Sequence, residues 1–199
     1  MIHIKYNFYN EYKNKDPNFE IIMNKRIIDI KNKYCLKNIS LEENFVEIFS
    51  WSVIPYNILQ NIYNIIKDKC DTVFDPCSGN GFHTYLFNNF TNLKTLTYDI
   101  QYEKNSWSNM IEKEGIIALK EIKNHNNICL FLSWIDYEEL GIKLLKNFKG
   151  TIVISIGNYE EKSPNYLNYL YKHFKIIETY ILSIHWDLTQ KIEILELIM

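Results

Sequence analysis

The residues with the clearest chemical potential lie in one stretch, Thr72-Val73-Phe74-Asp75-Pro76-Cys77-Ser78-Gly79-Asn80-Gly81-Phe82. Val73 and Phe74 suit a short buried strand that ends in a carboxylate. A turn with two glycines then leads into a helix beginning at Phe82. Gly79 and Gly81 lack Cβ, so the backbone there can take positive φ and approach a ligand closely. The helix that follows offers unpaired N–H groups at its N-terminus. Asp75 falls at the carboxyl end of its strand, where open α/β sheets bind ligands. A second acid, Asp99, ends the next apolar segment, Leu96-Thr97-Tyr98-Asp99, 18 positions after Gly81. A carboxylate placed there can accept hydrogen bonds from both hydroxyls of a ribose.

Two ligand classes use such a turn. Dinucleotide folds require G-x-G-x-x-G and aim the helix at a pyrophosphate. Here the third glycine position is Thr84, and Asp75-Pro76 would set a negative charge beside the pyrophosphate. S-adenosylmethionine has no phosphate but carries a sulfonium and an ammonium, which an acid before the turn attracts. The charge pattern therefore favours the methyl donor over a nicotinamide dinucleotide.

These groups need a scaffold. Strand-like segments at Thr72–Asp75, Lys94–Asp99, Ile116–Ile122, Ile128–Trp134 and Thr151–Gly157 alternate with helix-like stretches at Phe82–Asn89, Asn105–Glu112, Glu138–Phe148 and Pro164–His173. Such alternation predicts an α/β fold, a Rossmann-like, mostly parallel sheet with helices on both faces. The tail changes pattern: Lys175–His185 and Lys191–Ile198, separated by Trp186–Gln190, read as a C-terminal antiparallel β-hairpin. Upstream, the first 18 residues show no period and are expected to be an arm or disordered. Phe19, Ile22, Met23, Ile27, Ile30 and Tyr34 recur at helical spacing. Ser40-Leu41-Glu42-Glu43 has the form of a capping box opening a helix to about Phe49, and Pro55 precedes a third stripe, Ile58, Leu59, Ile62, Ile65 and Ile66. Residues 1–50 are thus an N-terminal arm and helical cap, and 51–199 the Rossmann-like domain.

With these residues in place, the chain resembles the Rossmann-fold S-adenosylmethionine-dependent methyltransferases over Trp51–Met199. The Asp-Pro-x-x-Gly-x-Gly form is similar to the amino-methyltransferases of DNA and RNA bases, and to methyltransferase-like proteins with Trp and Pro upstream, as Trp51 and Pro55 stand here. The resemblance implies S-adenosylmethionine as cofactor. Asp75, Cys77, Gly79, Asn80 and Gly81 would surround its methionine moiety, Asp99 would hold the ribose, and Ile100 with Gln101 would flank the adenine. After their fourth strand these enzymes carry Asp/Asn/Ser-Pro-Pro-aromatic, which grips the target amine. The corresponding residues are Leu132-Ser133-Trp134-Ile135-Asp136-Tyr137, without the prolines. Ser133 would accept from the amine and Trp134 or Tyr137 would stack on the base. Asp136 is either a proton acceptor or the N-cap of the next helix. The implied activity is methylation of a base amine, with a nucleic acid as partner. The missing prolines motivate the alternative, a catalytically inactive methyltransferase-like scaffold with a protein partner.

Composition excludes other classes. The 199 residues are 47% hydrophobic with net charge −2, which excludes wholesale disorder. No apolar run reaches the ~18 residues of a membrane span, and the first residues lack the order of a signal peptide. The four cysteines make no C-x-x-C pair and no histidines sit at zinc-ligand spacing, so an intracellular, reducing setting is expected, with Cys70 and Cys129 as buried apolar groups. Residues 1–40 carry eight Lys/Arg and four Asp/Glu, net +4, leaving −6 on the rest. That asymmetry either steers a polyanion or is a solvated surface. Lysine abundance beside one arginine, Arg26, reads as AT-rich codon use rather than a nucleic-acid signal. Cys77 is expected to be a small residue fitting the turn, Trp51 to pack in the core, and His185-Trp186-Asp187 to form the hairpin turn. His83 is a packing residue or a cofactor contact, and Trp107 packs or lines the cleft.

Overall fold

The computed structural model describes residues 7–35, 44–101, 106–135, 138–183 and 189–198. In chain order the elements are α1 (Asn7–Lys13), α2 (Asn18–Tyr34), α3 (Phe45–Ile48), α4 (Tyr56–Ile66), β1 (Thr72–Asp75), α5 (Phe82–Phe90), β2 (Lys94–Asp99) and β3 (Ile111–Glu112). There follow α6 (Gly115–Glu121), β4 (Ile128–Ser133), α7 (Glu138–Asn147), β5 (Ile152–Asn158), α8 (Pro164–His173), β6 (Phe174–Ser183) and β7 (Thr189–Leu197). The seven strands form one sheet in the order β3-β2-β1-β4-β5-β7-β6. Pairing is parallel from β3 to β5, then antiparallel through β7 and β6. The expected mostly parallel sheet closing in a C-terminal hairpin is what the chain forms.

Alternation along the central strands sends side chains to two apolar layers. Val73, Cys129, Phe131, Ile152, Ile154, Ile192 and Ile194 face one layer, shared with α1 to α5. Phe74, Leu130, Leu132, Val153 and Leu195 face the other, shared with α6, α7 and α8. Period-two alternation with both sets buried is the expected signature of a sheet covered on both faces.

Three local expectations are corrected. Ile116–Ile122 is not a strand. Ile116 and Leu119 are buried three residues apart while Ile117 is 48% exposed, the pattern of a helix face, and the segment is α6. Its first residue lies so close to Pro76 that a Cβ at Gly115 would collide with the Pro76 carbonyl. Of the expected helix Asn105–Glu112, the described residues 106–112 are not helical either: Trp107 donates its backbone N–H to the Asn80 carbonyl (2.8 Å) and Nε1–H to the Ile48 carbonyl (2.6 Å), and Ile111–Glu112 pair with Tyr98 and Asp99 as β3. The expected N-terminal arm holds a helix from Asn7, because Phe8, Tyr9 and Tyr12 are buried and the Tyr12 hydroxyl donates to the Ile54 carbonyl at 2.6 Å. The capping box lies outside the described residues; α3 covers only Phe45–Ile48. Among the described residues no helix is long and apolar enough to cross a membrane.

Candidate ligand cleft

The glycine turn is organised by short backbone contacts. Asp75 ends β1 and is 3% exposed. Its Oδ2 accepts from Thr84 Oγ1 at 3.3 Å, and Thr84 Oγ1 lies 3.1 Å from Thr97 Oγ1. Burial pushes the Asp75 carboxyl up to about 7, opposed by hydrogen bonds from the Cys77 backbone and Thr84 and reinforced by the charge of Asp99. A cation brought beside it would favour the ionised form.

Asp99, at the tip of β2, reaches across to the turn. Its Oδ2 accepts from the Gly79 N–H at 2.8 Å and its Oδ1 from the Gln101 N–H at 3.1 Å. Gly79 and Gly81 have φ of +55° and +75°, the left-handed region that favours glycine. A Cβ on Gly79 would meet nothing within 4 Å, whereas one on Gly81 would press on Ser108 at 3.2 Å. Gly79 therefore borders open space and Gly81 is packed. Asn80 Oδ1 accepts from the Phe82 N–H at 3.1 Å at the start of α5, and Asn80 Nδ2 donates to the Glu47 carbonyl at 3.3 Å. Cys77 is half-buried, and burial first, then Asp75 and Asp99, push its thiol up to about 12. A thiol held protonated in this way is a weak nucleophile.

The opposite wall is built differently. Ser133 ends β4, and Trp134 follows at φ +50°, a left-handed conformation costing about 1–3 kcal/mol in a bulky residue. Its N–H donates to the Ile156 carbonyl at 3.0 Å, and its Nε1–H donates to Ser52 Oγ. Ser52 Oγ–H donates in turn to Gln190 Oε1 at 2.7 Å, and Gln190 Nε2 donates to the Trp51 carbonyl at 3.0 Å. Ser52 and Gln190 are fully buried. Trp51, expected in the core, is 53% exposed, with its ring centroid 5.5 Å from that of Trp134. Its apolar neighbours Val53 and Ile54 do enter the core; Trp51 instead turns outward over the β4 tip.

Asp75, Cys77, Gly79, Asn80 and Asp99 meet Ser133 and Trp134 around one cleft of about 290 Å³. The cleft opens where β1 and β4 are neighbours and the strand order reverses, the usual ligand position in such sheets. Of the other residues singled out in the sequence, Gly81 is buried behind the turn. Ile100 is 68% exposed beyond Asp99, while Gln101 lines the cleft. Asp136, Tyr137 and His185-Trp186-Asp187 lie outside the described residues. Trp107 is 4% exposed and packs, and Cys70 and Cys129 are buried. Sequence reasoning missed Arg26 and Glu47, which line the cleft from the N-terminal helices, and the Ser52–Gln190 pair. The last two are 138 residues apart, a separation that one sequence gives no means of bridging.

No family model and no curated protein matches the chain. Solved structures do. A proposed rRNA methylase from Clostridium thermocellum aligns with TM-score 0.51 and 19% identity over 71% of this chain and 96% of its own. TrmN from Thermus thermophilus aligns at 0.53 and 10% identity over 74% of this chain, which spans half of TrmN. A SAM-dependent O-methyltransferase from Thermotoga maritima aligns at 0.50 and 13% identity, over 81% of this chain and 72% of its own. The chain is similar to these proteins in fold, the α/β arrangement that these methyltransferases share.

Proposed function

We propose that the chain is an S-adenosylmethionine-dependent methyltransferase acting on an amine of a nucleic-acid base. One observation carries the reading: carboxylates at the tips of the adjacent strands β1 and β2 flank an open, glycine-bordered cleft at the sheet's switch point. The donor set suits this cofactor. There is free space beside Gly79, an acid poised near neutrality to balance a cation, and a second acid positioned for a ribose. When bound, S-adenosylmethionine supplies an electrophilic methyl group on a sulfonium.

The chain's own residues then bind and orient. Each Asp99 oxygen accepts one backbone N–H and keeps capacity for one ribose hydroxyl. Asp75, drawn to its ionised form, offsets the positive charge of the ligand. Ser133 supplies an acceptor for the amine that is attacked through its lone pair. Trp134 and Trp51 offer stacking faces for a base, worth about 1–3 kcal/mol. In-line transfer needs chiefly this alignment of nucleophile and methyl carbon. Arg26 and Glu47 bring residues 1–50 to the cleft rim, where a helical cap would influence the choice of acceptor. The similarity in fold to a proposed rRNA methylase is in keeping with an RNA acceptor.

Incubation of the purified chain with methyl-labelled S-adenosylmethionine and unmodified total RNA tests the reading, with label in a base amine as the expected result. The absence of both prolines after β4, with Ile135-Asp136 in their place, favours a second reading, cofactor binding without turnover. It predicts retained cofactor and no labelled RNA. A chain that binds no cofactor overturns both.

A further inference from the structure

The outer edge of β2 is only partly covered. Its outer neighbour β3 is two residues long and pairs with Tyr98 and Asp99 alone. Hydrogen bonds at both ends of β2 show which way its backbone groups point. On the inner edge the Lys94 N–H donates to the Asp71 carbonyl at 2.8 Å, and the Tyr98 carbonyl accepts from the Ser78 N–H at 3.0 Å. On the outer edge the Asp99 carbonyl accepts from the Lys113 N–H at 2.8 Å. Successive residues of a strand point to opposite edges, so Thr95 and Thr97 also face outward. Below the β3 pairing, the Thr97 N–H and both backbone groups of Thr95 have no hydrogen-bond partner among the described residues.

This edge borders a groove of about 880 Å³, separate from the ligand cleft. Four consecutive residues, Lys94, Thr95, Leu96 and Thr97, line it. A hollow on one face of a sheet touches alternate residues, so contact with each residue in turn means that the groove follows the strand's edge. Four residues at about 3.3 Å each make a track of roughly 13 Å. Ile22 and the Tyr85 ring give the groove apolar surface, and the exposed Asn88 and Asn89 give it side-chain amides. Lys94 is exposed, and among the described residues no acid lines the groove with it. A free strand edge is a template for another strand. A helix has spent its backbone groups internally and a nucleic acid has no amide ladder, so neither meets this chemistry. An extended polypeptide does.

We propose that the outer edge of β2 at Lys94–Thr97 takes up an extended segment of a partner protein as an added strand, apolar at alternate positions and carrying an acidic residue for Lys94. The free Thr95 and Thr97 groups supply the backbone pairing, and the groove walls select the side chains. The proposal is independent of what the cleft binds.

Selection of displayed random octapeptides against the full chain, with the Asn109→Trp chain as background, tests it. Asn109 is exposed on the groove wall, and an indole there fills the groove. The expected winners alternate apolar with polar residues and include Asp or Glu. A synthetic copy of a winner should slow hydrogen exchange of the Thr95 amide about tenfold or more, and N-methylation of its alternate amides should abolish the effect. Lys94→Glu should weaken its binding about fivefold. No enrichment over the background chain overturns the proposal, as do winners that leave Thr95 exchange unchanged or that survive N-methylation. Slow exchange of the Thr95 amide in the chain alone also overturns it. If that slow exchange persists on dilution, the edge belongs to another segment of this chain; if it fades, to a second copy. Melting curves establish that both variants are folded, and should Asn109→Trp fail to fold, Lys94→Glu and the N-methylated peptide carry the comparison.

Discussion

The two walls of the cleft are assembled on different principles. At the β1 and β2 tips, Asp75, Gly79, Gly81 and Asp99 lie within 25 residues of one another, and hydrogen bonds such as Gly79 N–H to Asp99 set the geometry. At the β4 tip, Trp134 is held by Ser52 and Gln190, brought in from the segment before α4 and from β7. The first wall is a local motif whose residue types state its geometry. The second is a tertiary construction whose members look ordinary in sequence. A glycine turn can therefore state its geometry in the sequence while the wall facing it is assembled from distant parts of the chain.

The largest effect expected from breaking the first wall is at Asp75. Its folded-state carboxyl sits at about 7 against an ordinary value of 3.8. A raised carboxyl means the native state holds its proton longer than the unfolded chain. The stability this gives is complete below pH 4 and is lost as pH rises through about 7. The difference in stability between Asp75→Asn and the unsubstituted chain should therefore grow in favour of the variant by up to about 4 kcal/mol between pH 4 and pH 8. Urea denaturation at both pH values measures it. A gap independent of pH would mean that burial does not govern this acid.

The second wall is tested at Ser52. Ser52→Ala leaves Trp134 Nε1 and Gln190 Oε1 unpaired in a buried place, and denaturation should register a loss of about 2 kcal/mol. A change under about 0.5 kcal/mol would show that Trp134 holds its left-handed conformation without the network. The smallest effect is expected at Trp51. Half of its surface is exposed, so Trp51→Ala should cost under about 1 kcal/mol in stability while raising the KM for a nucleic-acid acceptor about tenfold. An unchanged KM would remove Trp51 from the acceptor surface.

The same division governs what could be read from the chain. Val73 and Phe74 before Asp75, and the unbroken apolar run Ile128–Leu132, state strand and turn directly, because burial on both faces selects such runs. Ile116-Ile117 misleads because two adjacent β-branched residues suit a strand, while the helix is set by Leu119 one turn on and by Gly115 against Pro76. The N-terminal helix is hidden for a related reason: Tyr12 reads as polar surface until its hydroxyl finds the Ile54 carbonyl. In the cleft, Asp75, Gly79 and Asp99 were legible by type and spacing. Ser133 and Trp134 were visible only through the strand they end. Ser52, Gln190 and the outward turn of Trp51 were not legible, since their partners are fixed by the folded sheet and by nothing nearby in sequence.

An S-adenosyl nucleoside is the ligand proposed for the cleft. Thermal denaturation of the chain with S-adenosylhomocysteine and, separately, with NAD tests it directly. A ligand at a hundred times its dissociation constant adds about 2.7 kcal/mol to the native state, which for a chain of this size raises the melting temperature by roughly 5–10 °C. That rise is expected with S-adenosylhomocysteine, with its loss in Asp99→Ala and no rise with NAD. A rise with NAD and none with S-adenosylhomocysteine would contradict it.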